Sequence, residues 1–345
     1  MILTAEAFLQ LRHSLPVADV RSEAEFASGH IPGSANIPLL NNAHRAAVGI
    51  AYKMHGQLEA IRTGFQLAGP ELRQIIERTE ELAGPARELI AYCWRGGMRS
   101  DYFSRFAGMA RITCHTLAGG YKAYRRLAHE AFSRKRHLII IGGYTGCGKT
   151  EILQTLKRLG EQVIDLEALA CHKGSVFGGL MMPTQPTSEQ FENNIYEELL
   201  RLDANQIIWM EDESVAIGKV FLPQALWKQM CESPVVEIQA DTPIRINRLV
   251  QEYAQSDVQL FLRALDSIVS RLGHQRYEEA RRNVLAGNWH EAIHQILTYY
   301  DKAYRNGLER KQHRVAARFT WDGTNPVALA TELIAFRKQI VPTPA

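Results

Sequence analysis

The segment that most constrains the fold is Gly143-Tyr144-Thr145-Gly146-Cys147-Gly148-Lys149-Thr150, which matches the pattern Gly-x-x-x-x-Gly-Lys-[Ser/Thr]. Glycines at this spacing let successive backbone N–H groups turn inward around a phosphate, while the lysine reaches its outer oxygens and the hydroxyl meets magnesium. Such a loop works only where a buried strand feeds it and a helix leaves it, the helix N-terminus adding partial positive charge. Both flanks are present. The run His137-Leu138-Ile139-Ile140-Ile141 suits a central strand covered on both faces, and Thr150 to Leu159 has a helical pattern. Gly143, Thr145, Gly146, Cys147, Gly148, Lys149 and Thr150 are the candidate phosphate site, with Thr150 the candidate contact to Mg.

The rest of the chain reads as α/β. Pro16 to Val20, Glu88 to Cys93 and Arg111 to Leu117 are strand-like, with helical patterns at Glu71 to Leu82 and Ser100 to Ala110 between them. Strands separated by helices imply a parallel sheet with covered faces. Beyond the phosphate loop come Val163-Ile164-Asp165, Ile207 to Met210 and Val235 to Ile238. A helical, charged stretch follows from Ile244 to about Lys311, then Arg318 to Trp321 and a helix opened by Asn325-Pro326. The expected organisation is a first domain at 1–128, a polar and basic linker at 129–137, and a second domain at 138–345 with its helical extension at about 244–311. A length of 345 residues with 46% apolar side chains supplies two cores.

No apolar run is long enough for a membrane span, and the N-terminus lacks a basic flank and apolar core, so a cytoplasmic protein is expected. The net charge of +3 permits a nucleic-acid partner without demonstrating one. The basic segment Lys122, Arg125, Arg126, Arg134, Lys135 and Arg136, relieved only by Glu130, is either a solvated face or a polyanion contact. A P-loop enzyme that splits nucleotides adds an acid at the end of a neighbouring strand. Glu211 and Asp212, in the run Glu211-Asp212-Glu213-Ser214, and Asp165 with Glu167 are the candidate rim acids, since ligands sit beyond the carboxyl ends of the strands.

Five cysteines, irregularly spaced and without Cys-x-x-Cys or His-Glu-x-x-His, give no expectation of zinc. Cys93 differs from the others in its context. It ends a buried strand and opens Trp94-Arg95-Gly96-Gly97-Met98-Arg99-Ser100, after which a helix begins. Backbone donors, a helix N-terminus and Arg95 and Arg99 favour thiolate over thiol there, making Cys93 the candidate nucleophile.

The stretch Asp19-Val20-Arg21-Ser22-x-x-Glu25-Phe26-x-x-Gly29-His30-Ile31-Pro32-Gly33-Ser34-x-Asn36-Ile37-Pro38 resembles the rhodanese signature. In that resemblance Cys93 takes the place of the nucleophile that carries a persulfide or its selenium analogue, and Asp19, Arg21, Glu25 and His30 are scaffold. A rhodanese domain joined to a P-loop domain is similar to the tRNA 2-selenouridine synthases. Further segments fit that family across nearly the whole chain. They include Asn41-Asn42-x-x-Arg45-x-x-Val48-Gly49-x-x-Tyr52-Lys53, Asp165-Leu166-Glu167-x-Leu169-Ala170-x-His172-Lys173-Gly174-Ser175, Glu211-Asp212-Glu213-Ser214, Arg271-Leu272-Gly273-x-Gln275-Arg276-Tyr277 and Tyr299-Tyr300-Asp301. Lys173 stands where the family is expected to carry arginine, which keeps the charge and loses the planar fork.

The resemblance implies an N-terminal rhodanese-like parallel-sheet domain followed by a P-loop NTPase-like α/β domain with a helical C-terminal part. It implies exchange of sulfur for selenium in wobble 2-thiouridine of tRNA, with selenophosphate as donor, and S-geranylation from geranyl diphosphate as an intermediate step. It also implies a selenophosphate-supplying enzyme as a partner, no tightly bound cofactor and no membrane. Gly64 corresponds to a glycine associated with the geranyl step, and His172, Lys173, Ser175 and Arg276 become candidate donor or tRNA contacts. From the residues alone, two other readings stand beside this one: a P-loop kinase or ATPase with a regulatory rhodanese-like module, and a persulfide sulfurtransferase serving a protein partner.

Overall fold

A computed structural model describes residues 1–340. The described residues divide into two compact units, one of Met1–Ala131 with Glu192–Glu197, the other of Phe132–Phe191 with residues 198–340.

The first unit is built on strands β1 (Ile2–Leu3), β2 (Val17–Asp19), β3 (Ala35–Asn36), β4 (Glu88–Tyr92) and β5 (Thr113–Leu117), paired in parallel in the order β1-β5-β4-β2-β3. β4 is central, and Leu89, Ile90, Ala91 and Tyr92 are wholly buried, as a strand covered on both faces requires. Helix Glu23–Ser28 starts in a capping box between Ser22 and Glu25. A helical hairpin, Asn42–His55 and Gln57–Ala68, joins this part to helix Leu72–Ala83 and then to β4.

In the second unit, β6 (His137–Gly142), β7 (Gln162–Ile164) and β8 (Ile207–Glu211) are followed by a small hairpin of β9 (Ala216–Ile217) and β10 (Val220–Phe221), then by β11 (Val235–Gln239) and β12 (Val315–Thr320). The main sheet is parallel in the order β12-β11-β6-β8-β7. β6 is therefore central. From it the chain first builds one side of the sheet and then the other, which opens a crevice beyond its carboxyl end. Helix Lys149–Arg158 buries Ile152, Leu153 and Leu156 against that sheet. A second core forms where Phe177, Phe261, Leu265 and Ile268 meet Ile293, Ile296 and Leu297 of the helical extension, which runs from Thr242 to Lys311.

The expected linker at 129–137 is largely helix. Helix Gly120–Ser133 runs through its first five residues, because Tyr121, Tyr124, Ala128, Ala131 and Phe132 continue one buried stripe beneath the polar surface residues. Only Arg134, Lys135 and Arg136 separate that helix from β6. Among the described residues no helix is long and apolar enough to cross a membrane.

Candidate functional site

The phosphate loop leaves β6 and closes on the first turn of helix Lys149–Arg158. Gly148 has φ +88°, and a Cβ there would lie 2.1 Å from the Trp321 ring, so the position admits only glycine. The Lys149 ammonium donates to the carbonyl of Gly143 at 3.0 Å. Burial works against its charge, but Cys147, Glu167, Glu213 and Asp212 outweigh that and hold its pKa above the ordinary lysine value. Arg245 braces the loop from outside. It donates to the Thr145 carbonyl at 2.9 Å, pairs with Asp301 at 3.0 Å and lies 5.0 Å over Tyr144.

A pocket of about 390 Å³ opens over the loop, lined by Gly143, Thr145, Gly146, Gly148, Lys149 and Thr150, and by Lys173 and Ser175. Cys147 is fully buried beneath, and burial pushes its thiol pKa up. Of the four acids expected at the rim, Glu167 and Asp212 line the pocket. Thr150 Oγ1 donates to Glu167 at 3.2 Å, and Asp212 pairs with Lys311 at 2.6 Å. The other two are scaffold. Asp165 caps helix Leu166–Ala170 by accepting from the Ala168 N–H at 2.8 Å. Glu211 is wholly buried and accepts from the Leu166 N–H at 3.0 Å, with its pKa well above the carboxylate range through burial and the neighbouring Asp165.

The acid that faces the loop in their stead is Glu213. It shares a hydrogen bond with Glu167, and burial with that neighbour's charge pushes its pKa up to about 8. Glu167 is raised too, chiefly by burial. Arg248, Glu252, Tyr253, Tyr300 and Tyr304 complete the lining, all from the helical extension. Arg248 is ion-paired with Glu151 and lies 4.6 Å over the Trp321 ring, while Lys173 pairs with Glu252 at 2.8 Å. The oxygens that would meet Mg arriving with a phosphate are the Thr150 hydroxyl and the carboxylates of Glu167 and Asp212, which here bond Glu167, Glu213 and Lys311 in turn. His172 stands apart from this lining, its Nδ1 buried with no hydrogen-bond partner among the described residues. Arg276 is exposed on helix His274–Leu285 and lines neither this pocket nor the cavity described below.

In the first unit, Cys93 follows β4 and is buried at 3% exposure. Its sulfur accepts from the Gly97 N–H at 3.3 Å and lies 3.3 Å from the Ser100 hydroxyl. The Cys93 carbonyl in turn accepts from the Tyr121 N–H at 2.9 Å, and the Trp94 carbonyl accepts from the Lys122 N–H at 3.0 Å. These bonds lay one backbone loop directly on another. Gly120 makes that approach possible, since a Cβ there would fall 2.2 Å from the Cys93 oxygen. Arg99 is committed to Glu25 at 2.6 Å, so its charge steadies the loop. Arg95, Gly96 and Gly97 are exposed, and Trp94, partly exposed, has its ring 5.7 Å from that of Tyr121. Arg21 is buried with Asp19 and stacks 4.0 Å from the Tyr121 centroid, which makes both of them supports of the loop.

Beside this loop lies an apolar cavity of about 360 Å³. Val48, Tyr52, Ile61, Gly64 and Phe65 of the helical hairpin face Met98, Tyr102 and Phe106 of the helix that follows Cys93, with Arg45 and Arg99 the charged members of the lining. Ile50, Tyr52, Met54, Leu58, Phe65 and Met98 are exposed on the same elements. Exposed apolar side chains grouped in this way mark a ligand or partner surface.

Comparison with known proteins matches both parts of the chain. The model of the rhodanese-like domain matches residues 4–127, and that of the tRNA 2-selenouridine synthase AAA domain matches residues 136–329. A curated tRNA 2-selenouridine synthase of Nitrosomonas europaea is 30% identical, over 86% of this chain and 90% of its own. One of Bdellovibrio bacteriovorus is 33% identical, over 90% of this chain and 93% of its own. Two matched domains in this order, and relatives aligned over most of both lengths, establish that the chain belongs to the tRNA 2-selenouridine synthase family.

Proposed function

We propose that the protein replaces sulfur by selenium in the wobble 2-thiouridine of tRNA, using selenophosphate, by way of an S-geranylated intermediate made from geranyl diphosphate. The observation that carries this reading is the apolar cavity beside the Cys93 loop. A site that handled only selenophosphate and a nucleoside has no use for an apolar cavity of 360 Å³, whereas a ten-carbon isoprenoid chain does. Its volume is within the usual range of small-molecule pockets, about 300–1,000 Å³. Gly64 leaves room in its wall, since a Cβ added there would meet nothing closer than Val48 at 3.9 Å. The phosphate loop is an anion grip in its own right, since both donors carry phosphorus oxyanions that Lys149 and the loop N–H groups can hold.

In the first step the thiouridine sulfur bonds C1 of the geranyl group, the C–O bond breaks, pyrophosphate leaves and the base gives up its N3 proton. Geranylation turns a poor leaving group into a good one. In the selenium step the C2–S bond gives way to a C2–Se bond, geranylthiol departs with a proton, and hydrolysis of the P–Se bond releases phosphate. Cys93 supports this second step as a nucleophile, its sulfur bonding C2 as geranylthiol leaves and departing in turn as selenium enters.

The test is mass spectrometry of nucleosides from 2-thiouridine tRNA incubated with the protein and each donor, alone and together. Geranyl diphosphate alone is expected to give S-geranylthiouridine, and both donors together selenouridine. Phosphate release from ATP stimulated by a small acceptor, with no change in the nucleoside, favours the kinase reading instead.

A further inference from the structure

Arg136 carries N–H groups that the fold does not use. Its Nε and Nη1 are buried, and neither has a hydrogen-bond partner among the described residues. Two buried guanidinium N–H groups without partners on a half-buried side chain are a costly arrangement unless something relieves it. Burial, and then the neighbouring Arg134, push its pKa below the ordinary arginine value.

The residue lines an open groove of about 570 Å³ whose wall also includes Lys135, His137, Gln229, Glu232 and Ser233. The floor is fixed: the Arg136 N–H donates to the Gln229 side-chain oxygen at 3.0 Å, and the Gln229 amide donates to the Phe132 carbonyl at 2.9 Å. Other cations of the same basic stretch are already engaged, Arg125 with Glu192 and Asn193, and Arg126 with Glu130 at 3.7 Å. Arg134 and Lys135 are exposed, and among the described residues Glu232 is the one acid in the groove lining.

We propose that this groove seats a backbone phosphate of tRNA, Arg136 turning its unused donors to the phosphate oxygens and Lys135 adding a point charge. The groove has no ring of backbone N–H groups and no helix N-terminus among the described residues, the features that enclose a free phosphorylated donor at the loop around Lys149. A lone guanidinium with a flexible lysine in an open channel is how proteins hold a phosphodiester and fix register on a nucleic acid. The proposal rests on tRNA being the substrate.

The experiment is fluorescence anisotropy of the full chain with 2-thiouridine tRNA across a salt series. Arg136→Gln is expected to weaken binding several-fold and lower the slope of log affinity against log salt by about one. Arg136→Lys is expected to keep most of both, and binding of pyrophosphate is expected to stay unchanged in all variants. Lys135→Glu, at an exposed position, makes the same test without risk to the fold. If the parent chain binds no tRNA, the functional reading fails along with this one. If it binds and neither Arg136→Gln nor Lys135→Glu alters affinity or slope, this proposal alone is overturned, and Arg136 is a structural residue.

Discussion

Glu213 and Glu167 share a hydrogen bond at the phosphate pocket, and the pair holds a proton near neutrality because Glu213 is lifted to about 8. The carboxyl binds its proton more tightly folded than unfolded. Its contribution to stability is therefore complete below the ordinary value of 4.5 and is lost as pH rises toward about 8. Glu213→Gln removes the titration. Its stability relative to the parent is expected to improve between those limits by a few kcal/mol, since each tenfold difference in proton affinity is worth about 1.4 kcal/mol, and to level off above. Thermal melts of both proteins from pH 4.5 to 9 check this; parallel curves contradict it.

Lys149 now spends its ammonium on the Gly143 carbonyl and the surrounding acids, and a phosphate is expected to take it over. Lys149→Ala is expected to weaken selenophosphate or geranyl diphosphate by about ten- to a hundredfold, the worth of a charge-assisted hydrogen bond of about 1.5–3 kcal/mol. Calorimetric titration reads this directly. Unchanged affinity for both donors removes the phosphate loop from the reaction.

Gly64 has ordinary backbone geometry, and a Cβ there meets nothing closer than Val48 at 3.9 Å. Gly64→Leu is therefore expected to fold and to fill the apolar cavity. Geranylation is expected to fall at least tenfold while the melting temperature holds. A Gly64→Leu protein that geranylates at the parent rate shows that the chain binds elsewhere.

Gly120→Ala puts a methyl group 2.2 Å from the Cys93 oxygen at a residue with φ +56°, and the nearest atoms are all backbone. The two loops have to separate. Backbone strain of this kind costs about 1–3 kcal/mol, so a lowered melting temperature and a disturbed Cys93 site are expected together. An unaltered melting curve contradicts the packing described here.

The sequence made the strand–loop–helix at Lys149 and the Cys93 loop legible because each is one continuous segment whose glycines and flanking apolar runs are local signals. Which acid faces the phosphate was not legible in the same way. The chain turns sharply after β8, where the Glu213 N–H donates to the Glu211 carbonyl at 3.0 Å, so the alternation of a strand no longer assigns sides. Glu211 is covered by helix Leu166–Ala170, and Glu213 is left to face the loop. Arg248, Tyr253 and Tyr300 reach the pocket from helices that are local to nothing near it. The apolar cavity is a gap between helices: Val48 with Tyr52, and Ile61 with Gly64 and Phe65, have helical spacing, but spacing along one segment does not reveal that two faces meet imperfectly.

The most direct test of the account is the fate of Cys93. In Cys93→Ser, given both donors and 2-thiouridine tRNA, nucleoside mass spectrometry is expected to find S-geranylthiouridine accumulating and selenouridine absent. Selenouridine formed at the parent level in that variant contradicts the assignment of Cys93 to the selenium step.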